Sequence, residues 1–134
     1  HSDVEQALLE TARTIAWPEI IVSRADRTLL EMKLDAPVEI GRRNSGDPAP
    51  FAVRRSIRRH RLIIADQHDT TLSRTQVRVR MHAPRIARAS NPSHNRAIAI
   101  YGVGALPADS SRQQELPFSL SFGQDLWIHF ATGP

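Results

Sequence analysis

Residues 76–81, QVRVRM, place apolar and basic side chains in strict alternation after the glutamine. Val77, Val79 and Met81 fall on one side of an extended chain, and Arg78 and Arg80 on the other. That is the period-two signature of a half-buried strand. Comparable short runs recur along the sequence. EIIVS (19–23) lies between Pro18 and the polar turn RADR. TLLEMKL (28–34) stops at Asp35-Ala36-Pro37, and VEIG (38–41) follows at once. RLIIAD (61–66) is an apolar run of the kind a buried strand gives. RIARAS (85–90), RAIAIYG (96–102), LPFSLSF (116–122) and DLWIHF (125–130) complete the series. PSHNR and GVGALPADSS read as loops by composition. Short strands punctuated by Gly, Pro, Asn and Asp predict an all-β antiparallel sandwich or barrel. Its expected core comprises Ile20, Val22, Leu30, Met32, Ile40, Leu62, Ile64, Val77, Val79, Ile98, Ile100, Leu116, Leu120, Leu126 and Ile128.

Two segments depart from this rhythm. Val4, Ala7, Leu8, Ala12 and Ile15 recur at helical spacing, and Ser2 with Glu5 fits a capping box. Residues 1–17 are therefore read as a short N-terminal helix and linker, ended by Pro18, ahead of a sandwich domain over 18–134. The second departure is residues 42–60, RRNSGDPAPFAVRRSIRRH. Connections this long are usually functional or disordered, and FAVRRSI has the makings of a short strand.

Composition narrows the function classes. The chain of 134 residues suits one domain, and 40% apolar with 24% charged residues is a globular balance. No apolar run is long enough to span a membrane. HSDVEQALLE has no basic and apolar stretches of a secretory signal, and the absence of cysteine fits a reducing compartment. A cytoplasmic protein without membrane association is expected. The sequence does not start with Met, so it is expected to be one piece of a larger polypeptide.

Net charge is +4, and the pI is near 10.9. Lys33 is the sole lysine, so the basicity belongs to arginine, whose planar fork binds phosphate or carboxylate bidentately. RRSIRRHR (54–61) could meet phosphates, but the aromatic interleaving that stacks bases is missing. Nucleic acid is not the expected partner. Asp66, His68 and Asp69 cluster in ADQHD near His60, yet their spacing matches no metal-ligand or general-base pattern. Phosphate loops, paired helical histidines and nucleophile elbows are absent. Hence no catalytic residue, metal or cofactor is expected.

Three spaced elements stand out in order. VEIGRR is a strand running into Gly41-Arg42. LIIADQHDTTLSRTQVRV is a strand, an acidic turn, Ser73-Arg74 and a second strand. ASNPSHNRAIAI is a turn with Asn91, Ser93 and Asn95 before another strand. Taken together, and with GVGAL and LSFGQDLWIHF behind them, they resemble the forkhead-associated (FHA) domain over roughly residues 18–131. The resemblance implies a β-sandwich of about eleven strands whose loops at one end bind a phosphothreonine peptide. It implies that Arg42 pairs with the phosphate and Ser73 donates its hydroxyl to it. Arg74 would support the phosphate or the flanking peptide, and Asn95 would hydrogen-bond the peptide backbone just after the phosphothreonine. Asn91 and Ser93 would shape the loop. The sequence departs from the family pattern at Gln76, where a bracing histidine is usual, and at Asn95-Arg96-Ala97 in place of Asn-Gly-Thr. The connection from Arg42 to Leu62 is also longer, and Arg43 or an arginine from 54–59 could take the place of Arg42.

The expectation is thus a phosphothreonine-recognition module within a larger signalling protein, its partner a substrate of a Ser/Thr kinase. The alternative is a degenerate FHA domain that mediates phosphate-independent protein contacts, and the third reading is a basic nucleic-acid-binding surface.

Overall fold

The computed structural model describes residues 17–132. The helix expected over 2–16 lies outside the described residues, and those described contain no helix. They contain twelve strands. The first six are β1 (Glu19–Arg24), β2 (Arg27–Lys33), β3 (Val38–Arg42), β4 (Ala52–Arg54), β5 (His60–Ala65) and β6 (Val77–Ala83). The rest are β7 (Ile86–Asn91), β8 (Ile98–Ile100), β9 (Gly104–Leu106), β10 (Ser110–Glu115), β11 (Phe118–Ser121) and β12 (Leu126–Ala131). They form two six-stranded sheets, ordered β2-β1-β12-β11-β8-β9 and β10-β7-β6-β3-β5-β4.

The sheets close over one apolar core as a β-sandwich. Alternation along β12 buries Leu126, Ile128 and Phe130, and along β1 it buries Ile20 and Val22. On β6, Val77 and Val79 point inward while Arg78 and Arg80 stay in solvent. Every residue of the expected core is buried except Leu30, which packs against the core half-exposed. Phe118 and Phe130, not among those expected, face each other across β11 and β12 with rings stacked 4.7 Å apart.

The expected all-antiparallel arrangement needs one correction. β3 and β5 run parallel, with Val38 beside His60 and Ile40 beside Leu62. A parallel pair needs a long crossover, and the connection between Arg42 and His60 supplies it. That connection also provides β4, which pairs antiparallel with β5 at the sheet edge. Two further strands were not expected: β9 lies within GVGALPADSS, the stretch read as loop, and β10 begins at its end and runs on to Glu115. β10 is an edge strand of sequence SSRQQE, so it carries no apolar alternation to betray it.

All six residues of β5 are buried. Leu62 and Ile64 face the core shared by the two sheets. Arg61 and Ile63 therefore point to the opposite face of the sheet. Asp47, from the segment that leaves β3, lies against Arg61 there and is itself buried.

Candidate functional site

Gly41 and Arg42 close β3, and the chain from Ser73 to Arg74 passes directly over them. A Cβ built on Gly41 would lie 1.9 Å from the Arg74 carbonyl oxygen and 2.9 Å from that of Ser73. Only a residue without a side chain permits this approach. The Arg42 amide donates to the Ser73 carbonyl at 3.1 Å, and the Gln76 amide donates to the Ile40 carbonyl at 2.8 Å. Gly41-Arg42 and Ser73-Arg74 therefore form one backbone junction.

Arg61 holds that junction from beneath. Its Nη2 donates to the Arg42 carbonyl at 2.5 Å and to the Arg74 carbonyl at 2.9 Å. Its Nε donates to Asp47 Oδ2 at 2.8 Å, and its Nη1 to Glu39 Oε1 at 2.9 Å. Burial of such a guanidinium is costly, and the engagement of nearly every donor offsets that cost. Burial pushes the Asp47 carboxyl up, but the Arg61 hydrogen bond, the Asn44 amide and the charges of Arg61 and Arg54 outweigh it and hold it below its ordinary value. Arg54 Nη1 stands 2.8 Å from Asp47 Oδ1 as an ion pair whose angles are not those of a hydrogen bond. For Glu39 burial again acts upward, and the Thr75 hydroxyl with Arg59, Arg61 and Arg78 brings the net shift down.

Above the junction lies a cleft of about 230 Å³ lined by Arg42, Arg43, Asn44, Ser45, Gln67, His68 and Arg74. Arg42 Nη1 donates to the Gln67 carbonyl at 2.6 Å, while its Nε is buried without a partner. Arg43 donates through Nε to the Asp47 carbonyl at 2.9 Å and through Nη1 to Gln67 Oε1 at 3.3 Å. Arg74 is exposed. Ser73 is half-buried beside the cleft rather than lining it, and its amide donates to Gln76 Oε1 at 3.0 Å.

Gln76 joins this junction to the next loop. It is fully buried, and its Nε2 reaches Asn91 Oδ1 at 3.1 Å, Ser93 Oγ at 3.2 Å and the Arg96 carbonyl at 3.3 Å. Asn91 Nδ2 adds a 2.7 Å bond to the same Arg96 carbonyl and a 3.0 Å bond to the Leu106 carbonyl. Both Asn91 and Ser93 are buried. The loop carrying Asn95 is thus pinned immediately after it, and Asn95 itself is exposed. Bracing of the loops by a side chain at position 76 is met here by an amide.

The sequence-predicted residues divide clearly. The backbones of Arg42, Ser73 and Arg74 meet at the junction, where the side chains of Arg42 and Arg74 line the cleft and that of Ser73 does not. Gln76, Asn91 and Ser93 form the brace, and Asn95 stands at the tip of the braced loop. Among the arginines weighed as substitutes for Arg42, Arg43 lines the cleft, whereas none from 54–59 does. Arg61, Gln67 and His68 were not expected at the site. The one signal for Arg61 was a charged residue at the head of an apolar run.

Other candidates serve local roles. His60 is buried and its Nε2 lies 2.5 Å from Asp35 Oδ1. Asp66 accepts the Gln67 amide, and Asp69 accepts both the amide and the hydroxyl of Thr71. Among the described residues no group of three or more His, Cys, Asp or Glu side chains is placed to hold a metal, and no helix is long and apolar enough to cross a membrane. No protein-family model matches the chain, and no curated protein matches it significantly.

Proposed function

We propose that the chain is a phosphothreonine-recognition module of the FHA kind, acting within a larger cytoplasmic signalling protein. Its partner is a protein phosphorylated by a Ser/Thr kinase. The observation that carries this reading is the junction of Gly41-Arg42 with Ser73-Arg74 beside an arginine-lined cleft, braced through Gln76 to the loop of Asn95. A phosphorylated threonine brings about −1.5 to −2 charges and three acceptor oxygens. Arg42 and the Ser73 hydroxyl meet the phosphate, Arg74 supports it, and the Asn95 amide holds the peptide backbone, offering both donor and acceptor.

One observation favours the phosphate-independent alternative. Arg42 already donates to the Gln67 carbonyl, and Ser73 sits beside the cleft rather than in its lining. Under the phosphate-binding reading, Arg42 exchanges or shares that carbonyl when a ligand enters. Titration of matched threonine and phosphothreonine peptides decides between the two. Preference for the phosphorylated peptide, abolished by Arg42→Ala and by Ser73→Ala, supports recognition. Equal binding of both peptides assigns the sandwich to phosphate-independent assembly.

A further inference from the structure

Among the exposed serines and threonines of the described residues, two follow a pair of arginines within three positions, Ser45 in RRNS and Ser56 in RRSI. The fold sets them apart. Before Ser45, Arg42 and Arg43 are half-buried, and their guanidinium groups donate to the Gln67 carbonyl, the Asp47 carbonyl and Gln67 Oε1. An enzyme reading these two arginines would first have to pull them out of the fold. Ser56 lies in the loop between β4 and β5, where residues 54–59 are all exposed. Arg54 and Arg59 each meet a carboxylate, Asp47 and Glu39, yet keep more than half of their side chains in solvent. Ile57 is wholly exposed, so no packing is broken when its side chain enters a pocket elsewhere. The loop hangs from β4, a three-residue edge strand with no buried residue. Drawing it out costs one short strand pairing.

We infer that Ser56 is a phosphorylation site for a Ser/Thr kinase that reads arginine on both sides of its target. Arg54 and Arg55 precede the hydroxyl, Ile57 follows it, and Arg58 and Arg59 come next. Acidic pockets on such a kinase meet guanidinium groups on either flank, and an apolar one takes the isoleucine. In the transfer, Ser56 Oγ forms a bond to the γ-phosphorus of ATP as the bond from that phosphorus to the β,γ-bridging oxygen breaks. ADP leaves, and the hydroxyl proton passes to the kinase's catalytic aspartate. Before transfer the hydroxyl donates to the Arg59 carbonyl at 2.5 Å and accepts the Arg59 amide at 3.4 Å. The dianionic product keeps only acceptors there, so the turn loses the first of these bonds. Its phosphate, of about −1.5 to −2 charges, then competes with Asp47 and Glu39 for Arg54 and Arg59. None of this depends on a ligand at the junction of Gly41-Arg42 with Ser73-Arg74.

The test incubates the whole folded 134-residue chain with ATP and a purified Ser/Thr kinase active on arginine-flanked serine peptides, and locates the phosphate by peptide mass spectrometry. Ser56 should take up close to one phosphate per chain, and Ser56→Ala should abolish uptake. Arg55→Gln and Arg58→Gln should each lower kcat/KM about tenfold, the size of one lost charge-assisted contact. All three are exposed positions whose substitution leaves folding intact. Phosphate mapped to Ser45, or spread over several hydroxyls, overturns the assignment. A folded chain that takes up none, or takes it up only after heat unfolding, does so as well. Uptake at Ser56 that ignores both arginines overturns the kinase class.

Discussion

The α-carbon of Gly41 faces the carbonyl of Arg74 so closely that a methyl group there would overlap the oxygen at 1.9 Å. The obstacle is backbone, itself tied down by Arg61 Nη2, so it does not swing aside as a flexible side chain would.

Gly41→Ala is expected to destabilise the fold by about 1–3 kcal/mol, the cost of overpacking a fixed site. It should also weaken peptide binding by moving Arg74 relative to Arg42. Urea unfolding with unchanged m reports the first effect. A variant as stable as the parent would show that the two segments part easily.

Gln76→Ala leaves the part-buried Ser73 amide without its acceptor and removes the buried bond from Gln76 Nε2 to Asn91 Oδ1. The expected loss is about 1–3 kcal/mol. Gln76→Glu keeps the acceptor but turns a second oxygen toward Asn91 Oδ1 and the Arg96 carbonyl, so it should cost at least as much at neutral pH. Thermal melts of the two variants side by side check the order.

Arg61→Met strips the buried Asp47 and Glu39 of their common partner. Breaking a buried pair from one side typically costs about 3–5 kcal/mol. The Arg42 and Arg74 carbonyls lose their donor in the same step. Peptide affinity should fall along with stability, which calorimetric titration below the variant's melting temperature would show.

Among the described residues, four carboxyls lie below their ordinary values. For Asp35 the His60 bond is the main cause, and for Asp69 the Thr71 hydroxyl. Glu39 and Asp47 reach the same sign against the pull of burial. A group whose pKa is lower folded than unfolded stabilises the fold fully above its unfolded value and ceases to do so as pH falls through the folded one. Melting temperature should therefore decline as pH falls through 4.5, where Glu39 is half protonated in the unfolded chain, and more steeply through 3.8, where the aspartates reach the same point. A melting temperature that rises on acidification through this range would contradict these assignments.

Arg80 stands directly opposite Arg88 on the outer face of β6 and β7. Like charges in that relation are unfavourable, so Arg80→Glu should stabilise by about 0.2–1 kcal/mol, and the gain should fade in high salt. Denaturation at two ionic strengths reads both effects.

How much of this was legible in the sequence follows from where each signal resides. Alternation is local, so β6 and most core positions could be read from Val77, Val79 and their equivalents. β10 could not, because an edge strand with both faces wet has no reason to alternate. The parallel pairing of β3 with β5 likewise depends on where a long connection lands. At the candidate site, Gly41-Arg42, Ser73-Arg74 and the turn of Asn91, Ser93 and Asn95 were readable as ordered elements, whereas Gln76 read as a departure from the family pattern whose bracing bonds are tertiary. The closeness of Gly41 to Arg74 and the four-way engagement of Arg61 were not readable. Both are tertiary facts, and an arginine at the head of RLIIAD reads equally well as a solvated strand residue until Asp47 is seen to cover it.

The parallel neighbours β3 and β5 have no tight turn to start their pairing. Their register, and with it the meeting of Arg42 and Arg74, forms only when distant parts of the chain have already come together. A peptide spanning 70–80 alone therefore carries Ser73 and Arg74 without a site. Ligand affinity and folding are linked quantities in this chain: any ligand bound at the junction is held by the native state alone, and raises the melting temperature in step with its concentration.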